Sequence, residues 1–181
     1  MSRIQPVNET TADPAAAHVL ANVKKKLGAV PNLIATMANS AAVAKSYLGF
    51  SQSLSTGSLS SRLREQIALV VGETNSCDYC LAAHTTLGKG AGLSEQETQD
   101  ARLAVADDEK EQAALEFARK IVLDRGHVSD TDVQQVRHAG YTDGEIAEIV
   151  ANVAINIFTN YFNHVVQTEV DFPAAPELIA A

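Results

Sequence analysis

The sequence predicts an all-α helical bundle, on three observations. Apolar residues recur at helical spacing along nearly the whole chain, strict apolar/polar alternation is scarce, and several Ser or Thr residues stand three positions before a Glu or Asp at the start of an apolar stretch. The 181 residues, 46% hydrophobic and 20% charged, suffice for one core and force no second domain. The chain is therefore read as one domain over 1–181, with an N-terminal arm over 1–13 and a C-terminal tail over 174–181.

In chain order, the arm is extended or loose. Pro14 then opens a helix that carries Val19, Leu20, Val23 and Leu27 at helical spacing and stops at Gly28. Val30, Pro31 and Asn32 connect to helical segments over Leu33–Met37 and Ala41–Leu54, and residues 55–58 break the chain. Ser60 or Ser61 caps a helix with Leu63, Ile67, Leu69, Val70 and Val71 on its periodic positions, ending near Gly72 and the Asn75-Ser76 pair. The next helix carries Cys77 and Cys80 in its first turn and runs to residues 89–92. Ser94 with Glu97 starts a short helix, and Asp107–Asp124 forms a longer one closed by Arg125, Gly126 and His127. Ser129 with Asp132 and Thr142 with Glu145 start two more, the second opening the apolar stretch Ile146–Val166. Asp171, Phe172 and Pro173 end the ordered part, and the tail is expected to be loose or to lie on a partner.

An internal comparison adds an expectation. With Glu65 set over Glu148 the segments run in step, Cys77 over Asn160 and Cys80 over Asn163. This predicts a second, thiol-less copy of the helical hairpin and a bundle of two similar halves.

Charge excludes some functions. Fourteen Lys and Arg against 22 Asp and Glu give a net charge of -8, which repels phosphate backbones and anionic lipid surfaces, so neither nucleic acid nor membrane is an expected partner. The N-terminus lacks the basic-then-apolar layout of a signal peptide and no apolar run reaches a membrane span, so a cytoplasmic location is expected. In a reducing compartment, two cysteines as CxxC point to redox or metal chemistry rather than to a permanent bridge.

Glu65, Cys77, Cys80 and His84 hold that chemistry. On a helix Cys77, Cys80 and His84 fall at i, i+3 and i+7, on one face. A thiol attacks only as thiolate, and the start of a helix together with an adjacent imidazole lowers its pKa. His84 can take the Cys80 proton, and Glu65 on the preceding helix can orient His84. Such a dithiol reduces peroxides or exchanges disulfides, with Cys80 attacking and Cys77 resolving. A zinc site would want a fourth ligand, so no metal is expected, and no cofactor either. A buried, inert cysteine pair is the plainer alternative. His164 reads as a core histidine with a satisfied ring, or with Asn160 and Asn163 as part of a pocket between the two halves.

The pattern E-x11-C-x2-C-x3-H formed by these four residues resembles the active site of alkylhydroperoxidase D and its relatives in the carboxymuconolactone decarboxylase-like superfamily. VPNLIATMANS before it and AGYTDGEIAEIVANVAINIFTNYFNH after it are similar to the subgroup of uncharacterised peroxidase-related proteins. The resemblance implies an all-helical fold, homo-oligomers from trimer to hexamer, no metal, and a proton relay from glutamate through histidine to the second cysteine. It implies a hydroperoxide substrate and an external dithiol or thiol reductant. The rivals are a carboxymuconolactone-type decarboxylase and a non-catalytic redox-sensing oligomer. In one respect the chain departs from the best-studied members, which carry a histidine where Tyr79 stands. A phenol is a poor base near neutral pH, though it can donate a hydrogen bond to a thiolate or peroxide.

Overall fold

The computed structural model describes residues 2–178. Among them are nine α-helices and no strand: α1 (Pro14–Leu27), α2 (Asn32–Met37), α3 (Ala41–Leu54), α4 (Ser61–Thr74), α5 (Asp78–Gly90), α6 (Glu95–Arg102), α7 (Glu109–Leu123), α8 (Asp130–His138) and α9 (Asp143–Val166). No helix among the described residues is long and apolar enough to cross a membrane.

The helix starts lie where the caps place them. Asp13 accepts from the N–H groups of Ala15 and Ala16 ahead of Pro14, and Ser60 accepts from Leu63. Ser94/Glu97, Ser129/Asp132 and Thr142/Glu145 all close reciprocal capping boxes, each satisfying backbone donors that the first turn leaves unpaired. Gly28 ends α1 at φ 81, in the left-handed region open to glycine.

Helix α4 is the centre of the molecule, packed by α5, α6, α7 and α9. Its Ile67, Leu69, Val70 and Val71 are fully buried against Leu115 and Ala118 of α7 and Ile149 and Val153 of α9. Side chains buried on every side of the helix identify a core helix rather than a surface one. A second apolar cluster joins Val19, Leu20 and Val23 of α1, Leu33, Ile34 and Met37 of α2 and Ala44 of α3 to Cys77, Tyr79, Cys80 and Ala83. The thiols therefore sit between α5 and the N-terminal helices.

Helix α9 crosses both regions and also fixes the entry to α4. The Glu148 carboxylate accepts the backbone N–H groups of Ser58 at 2.8 Å and Leu59 at 3.0 Å. Because these bonds reach a charged acceptor, Glu148→Ala is expected to lower the free energy of unfolding by about 1–2 kcal/mol in urea melts. An unchanged midpoint would show that the loop holds itself.

Three expectations are corrected. The two-halves reading fails, because α9 runs unbroken through the residues aligned with the α4–α5 corner. At that corner Ser76 takes φ 55 and Cys77 is extended, whereas Thr159 stays helical and its hydroxyl bonds back to the Asn156 carbonyl. The N-terminal arm is extended but pinned, with Arg3 N–H on the Val166 carbonyl, Val7 N–H on the Ala35 carbonyl and the Asn39 carboxamide on the Gln5 carbonyl. Met1 lies outside the described residues. The tail, as far as residue 178, lies on its own chain: Ala175 packs on the core and the Pro176 carbonyl accepts from Arg102, which also pairs with Glu73. Its last three residues, 179–181, lie outside the described residues.

Candidate active site

The α4–α5 corner builds the site. Cys77 N–H bonds to the Gly72 carbonyl at 2.9 Å, turning the chain at the end of α4. Cys77 is then the residue that caps α5, not part of its first turn, and its Sγ accepts the Cys80 N–H at 3.4 Å. Both cysteines are free thiols and buried. One turn on, His84 Nδ1 lies 2.7 Å from Glu65 Oε2. Glu65 and His84 are each about one-fifth exposed.

Helix α9 closes the site from the other side. The Asn163 carboxamide nitrogen donates to Cys80 Sγ at 3.3 Å and lies 3.8 Å from Cys77 Sγ. Asn160, fully buried, accepts from the Asn75 side chain at 2.9 Å. The Asn160 amide nitrogen and the Asn163 carboxamide oxygen are buried without a protein partner beside the sulfurs.

These contacts make the two sulfurs unequal. The hydrogen bond from the Cys77 thiol lowers Cys80 below the usual thiol range; burial opposes this, while the charge of His84 and the carboxamide of Asn163 add to it. The same hydrogen bond, followed by burial, pushes Cys77 up. For His84, burial alone would lower the pKa; the charge and hydrogen bond of Glu65 outweigh it and hold the imidazole above its ordinary range. Thiolate character thus concentrates on Cys80, with an imidazole one turn away whose protonated form Glu65 favours.

A cavity of about 800 Å³ opens at Cys80, lined by Leu33, Ile34, Tyr47, Tyr79, His84 and Phe172 among others. Cys80 lines it and Cys77 does not. The sequence offered no sign of Tyr47, whose hydroxyl is pushed up to about 12 by burial and then by the charges of Cys80 and Glu65. Only its place on α3, read as a helix without an assigned face, could have hinted at it.

Several expected site residues take other places. Tyr79 lines the cavity with its ring, packed edge-on against Phe172 at 5.8 Å, but its hydroxyl accepts the Leu33 N–H at 3.2 Å and is turned to α2 rather than to the thiols. Burial, with Asp171 nearby, raises its pKa further. Asn160 and Asn163 do not line the cavity; they meet the α5 corner and its sulfurs. His164 is exposed, its Nε2 3.3 Å from the Ser76 carbonyl, so it is neither a core histidine nor a pocket residue. Among the described residues no group of three or more His, Cys, Asp or Glu side chains is placed to hold a metal ion.

The sequence model of the carboxymuconolactone decarboxylase family matches residues 26–120, slightly more than half of the chain. The chain belongs to the carboxymuconolactone decarboxylase family. The family region takes in Glu65, Cys77, Cys80 and His84 but ends before α9, so Asn160 and Asn163 lie beyond it.

Solved structures share the family fold. One is an alkylhydroperoxidase AhpD core described as an uncharacterized peroxidase-related protein from Ralstonia eutropha JMP134, with TM-score 0.85 and 22% identity over 94% of this chain and 92% of that one. An uncharacterized peroxidase-related protein from Silicibacter sp. TM1040 has TM-score 0.79 and 22% identity over 92% of each chain. A variant of debrominase Bmp8 in complex with 2,3,4-tribromopyrrole has TM-score 0.79 and 21% identity over 94% of this chain and 92% of that one. At these identities the likeness is one of fold. No curated protein matches the sequence.

Proposed function

We propose that this family member is a dithiol peroxidase that reduces organic hydroperoxides. The observation that carries the reading is the asymmetry of the dithiol. Cys80 opens on the cavity with His84 one turn away and Glu65 2.7 Å from His84 Nδ1, while Cys77 is held off the cavity as a helix cap. The Cys80 thiolate attacks the terminal peroxide oxygen. The O–O bond breaks, the thiolate becomes a sulfenic acid, and the departing alkoxide takes a proton from the His84 imidazolium to leave as an alcohol. The Cys77 thiol then displaces hydroxide from the Cys80 sulfur, giving a disulfide and water. An external dithiol reduces the disulfide and is itself oxidised.

The test is a thiol count on the reduced protein after cumene hydroperoxide. Rapid loss of both thiols is expected in the wild type. Cys77→Ser should stop at a sulfenic acid on Cys80, and Cys80→Ser should lose reactivity. Full peroxide consumption by Cys80→Ser would reverse the roles, and slow thiol loss with a change of assembly size on a sizing column would favour a redox sensor.

A second reading, thiol-driven dehalogenation of a bulky organic halide, draws its support from the likeness in fold to the debrominase bound to 2,3,4-tribromopyrrole, and the cavity of about 800 Å³ has room for such a ligand. There the Cys80 thiolate takes the halogen, His84 protonates the carbanion left behind, and Cys77 expels halide to form the same disulfide. Halide release from a bromopyrrole, with cumene hydroperoxide inert, would select it.

A further inference from the structure

The cavity has more structure than the proposed chemistry uses. Its walls are one face of α1, with Val19, Val23 and Lys26, and one face of α3, with Lys45, Leu48 and Gln52; Cys80 lies on its α5 side. At about 800 Å³ it falls in the range of sites that enclose whole organic molecules, roughly 300–1,000 Å³. A site for hydrogen peroxide alone would have no use for it.

The charged residues that line it are few and unevenly engaged. Lys26 and Lys45 are exposed, and neither has an ion-pair partner among the described residues; Lys24, Lys89, Lys110 and Lys120 are paired, and Lys25, which also has no ion pair, does not line the cavity. Asp171, the acidic residue of the lining, accepts the Asn32 N–H at 2.8 Å at the start of α2, where the helix end offsets its charge. His84, by Cys80, is engaged by Glu65. In a chain of net charge -8, two unpaired lysines on a largely apolar groove are a local exception that favours an anionic group on the ligand.

We propose that the groove between α1 and α3 receives a long-chain organic hydroperoxide bearing a carboxylate, its apolar body along the groove, its peroxide at Cys80 and its carboxylate at Lys26 and Lys45. This rests on the peroxidase reading for the reaction, which proceeds by the balanced steps given above, but not for the binding. The apolar walls supply affinity in proportion to the chain they cover, and the lysines fix the carboxylate so that the peroxide along the chain comes to Cys80. Fatty-acid hydroperoxides have this chemistry.

Binding separates the two claims because it needs no peroxide. Linoleate and its methyl ester are titrated against a fluorescent fatty acid bound to the reduced wild type and to the Lys26→Glu/Lys45→Glu variant. The wild type is expected to bind linoleate about tenfold more tightly than the variant, with the ester held equally by both, as two weak exposed ion pairs reversed together would give. Equal linoleate affinity in the two proteins, or no displacement at all, overturns the proposal. So does occlusion of the groove by self-assembly, seen as a larger species on a sizing column that binds neither probe. With linoleic acid hydroperoxide the variant should show KM raised roughly tenfold and kcat held, while its reaction with hydrogen peroxide stays at the wild-type rate. If linoleate binds as expected and no hydroperoxide oxidises the thiols, the groove stands and the peroxidase reading falls.

Discussion

Glu65→Gln is expected to slow the oxidation of Cys80 by cumene hydroperoxide by about 10²- to 10³-fold at neutral pH, the scale of a lost general acid. The carboxylate lies 2.7 Å from His84 Nδ1 and favours the protonated imidazole against the burial that disfavours it. Glutamine keeps the shape and loses the charge. The pH profile gives the sign. In the wild type the rate should rise as Cys80 ionises, below the usual thiol range of about 8.5, and fall as His84 loses its proton, above the usual imidazole value of about 6.5. Without the Glu65 charge, His84 titrates lower, so the basic limb moves down in pH. Cys80 then loses its imidazolium partner and titrates higher, so the acidic limb moves up. The active window should close from both sides, read by stopped-flow rates across pH alongside thiolate absorbance. A profile of unchanged shape, merely scaled, would mean that Glu65 supports the fold and not the proton.

Asn163→Asp should slow the same reaction by about 10- to 100-fold at neutral pH. Its carboxamide nitrogen donates to Cys80 Sγ at 3.3 Å and lies 3.8 Å from Cys77 Sγ. Asp puts an acceptor and a like charge where the thiolate is held, and a like charge disfavours ionisation. Since a buried carboxylate also strains the fold, Asn163→Leu provides the second arm. It removes the donor without adding charge and should give a smaller loss, about 3- to 10-fold, with the thiolate transition displaced to higher pH. If both variants kept the wild-type thiolate transition, Asn163 would be a packing residue and the selection of Cys80 would rest on Cys77 and His84 alone.

The parts of the site legible in the sequence are those whose geometry is local. Cys80 and His84 share a helix, so their spacing puts them on one face in any fold that keeps α5. Glu65 was legible from its offset to the cysteines, and it meets His84 because α4 and α5 are joined by a corner too short to place them far apart. The alignment of Asn163 with Cys80 points to the right residue for a reason that does not hold. No second hairpin exists, and Asn163 meets Cys80 because the continuous α9 packs on the α4–α5 corner. Tyr79 as a lining residue was legible, but the direction of its hydroxyl, Tyr47 and the lysines on the groove were not. Where a tyrosine hydroxyl points, or which face of α3 borders a cavity, depends on neighbours that are remote in sequence.

What could be read without a fold is the run of helices, most of their caps and the shared helix face of Cys80 and His84. Capping bonds, apolar periodicity and the CxxC–His spacing act over a few residues and need no tertiary partner. The folded molecule adds that Cys77 stands outside the cavity and Cys80 at its edge, that Asn163 holds both sulfurs, and that the Tyr79 hydroxyl turns away from them. The positions of Asn163 and of the Tyr79 hydroxyl depend on contacts between residues about 46 to 86 positions apart, which the burial of apolar faces brings together and which no local pattern encodes.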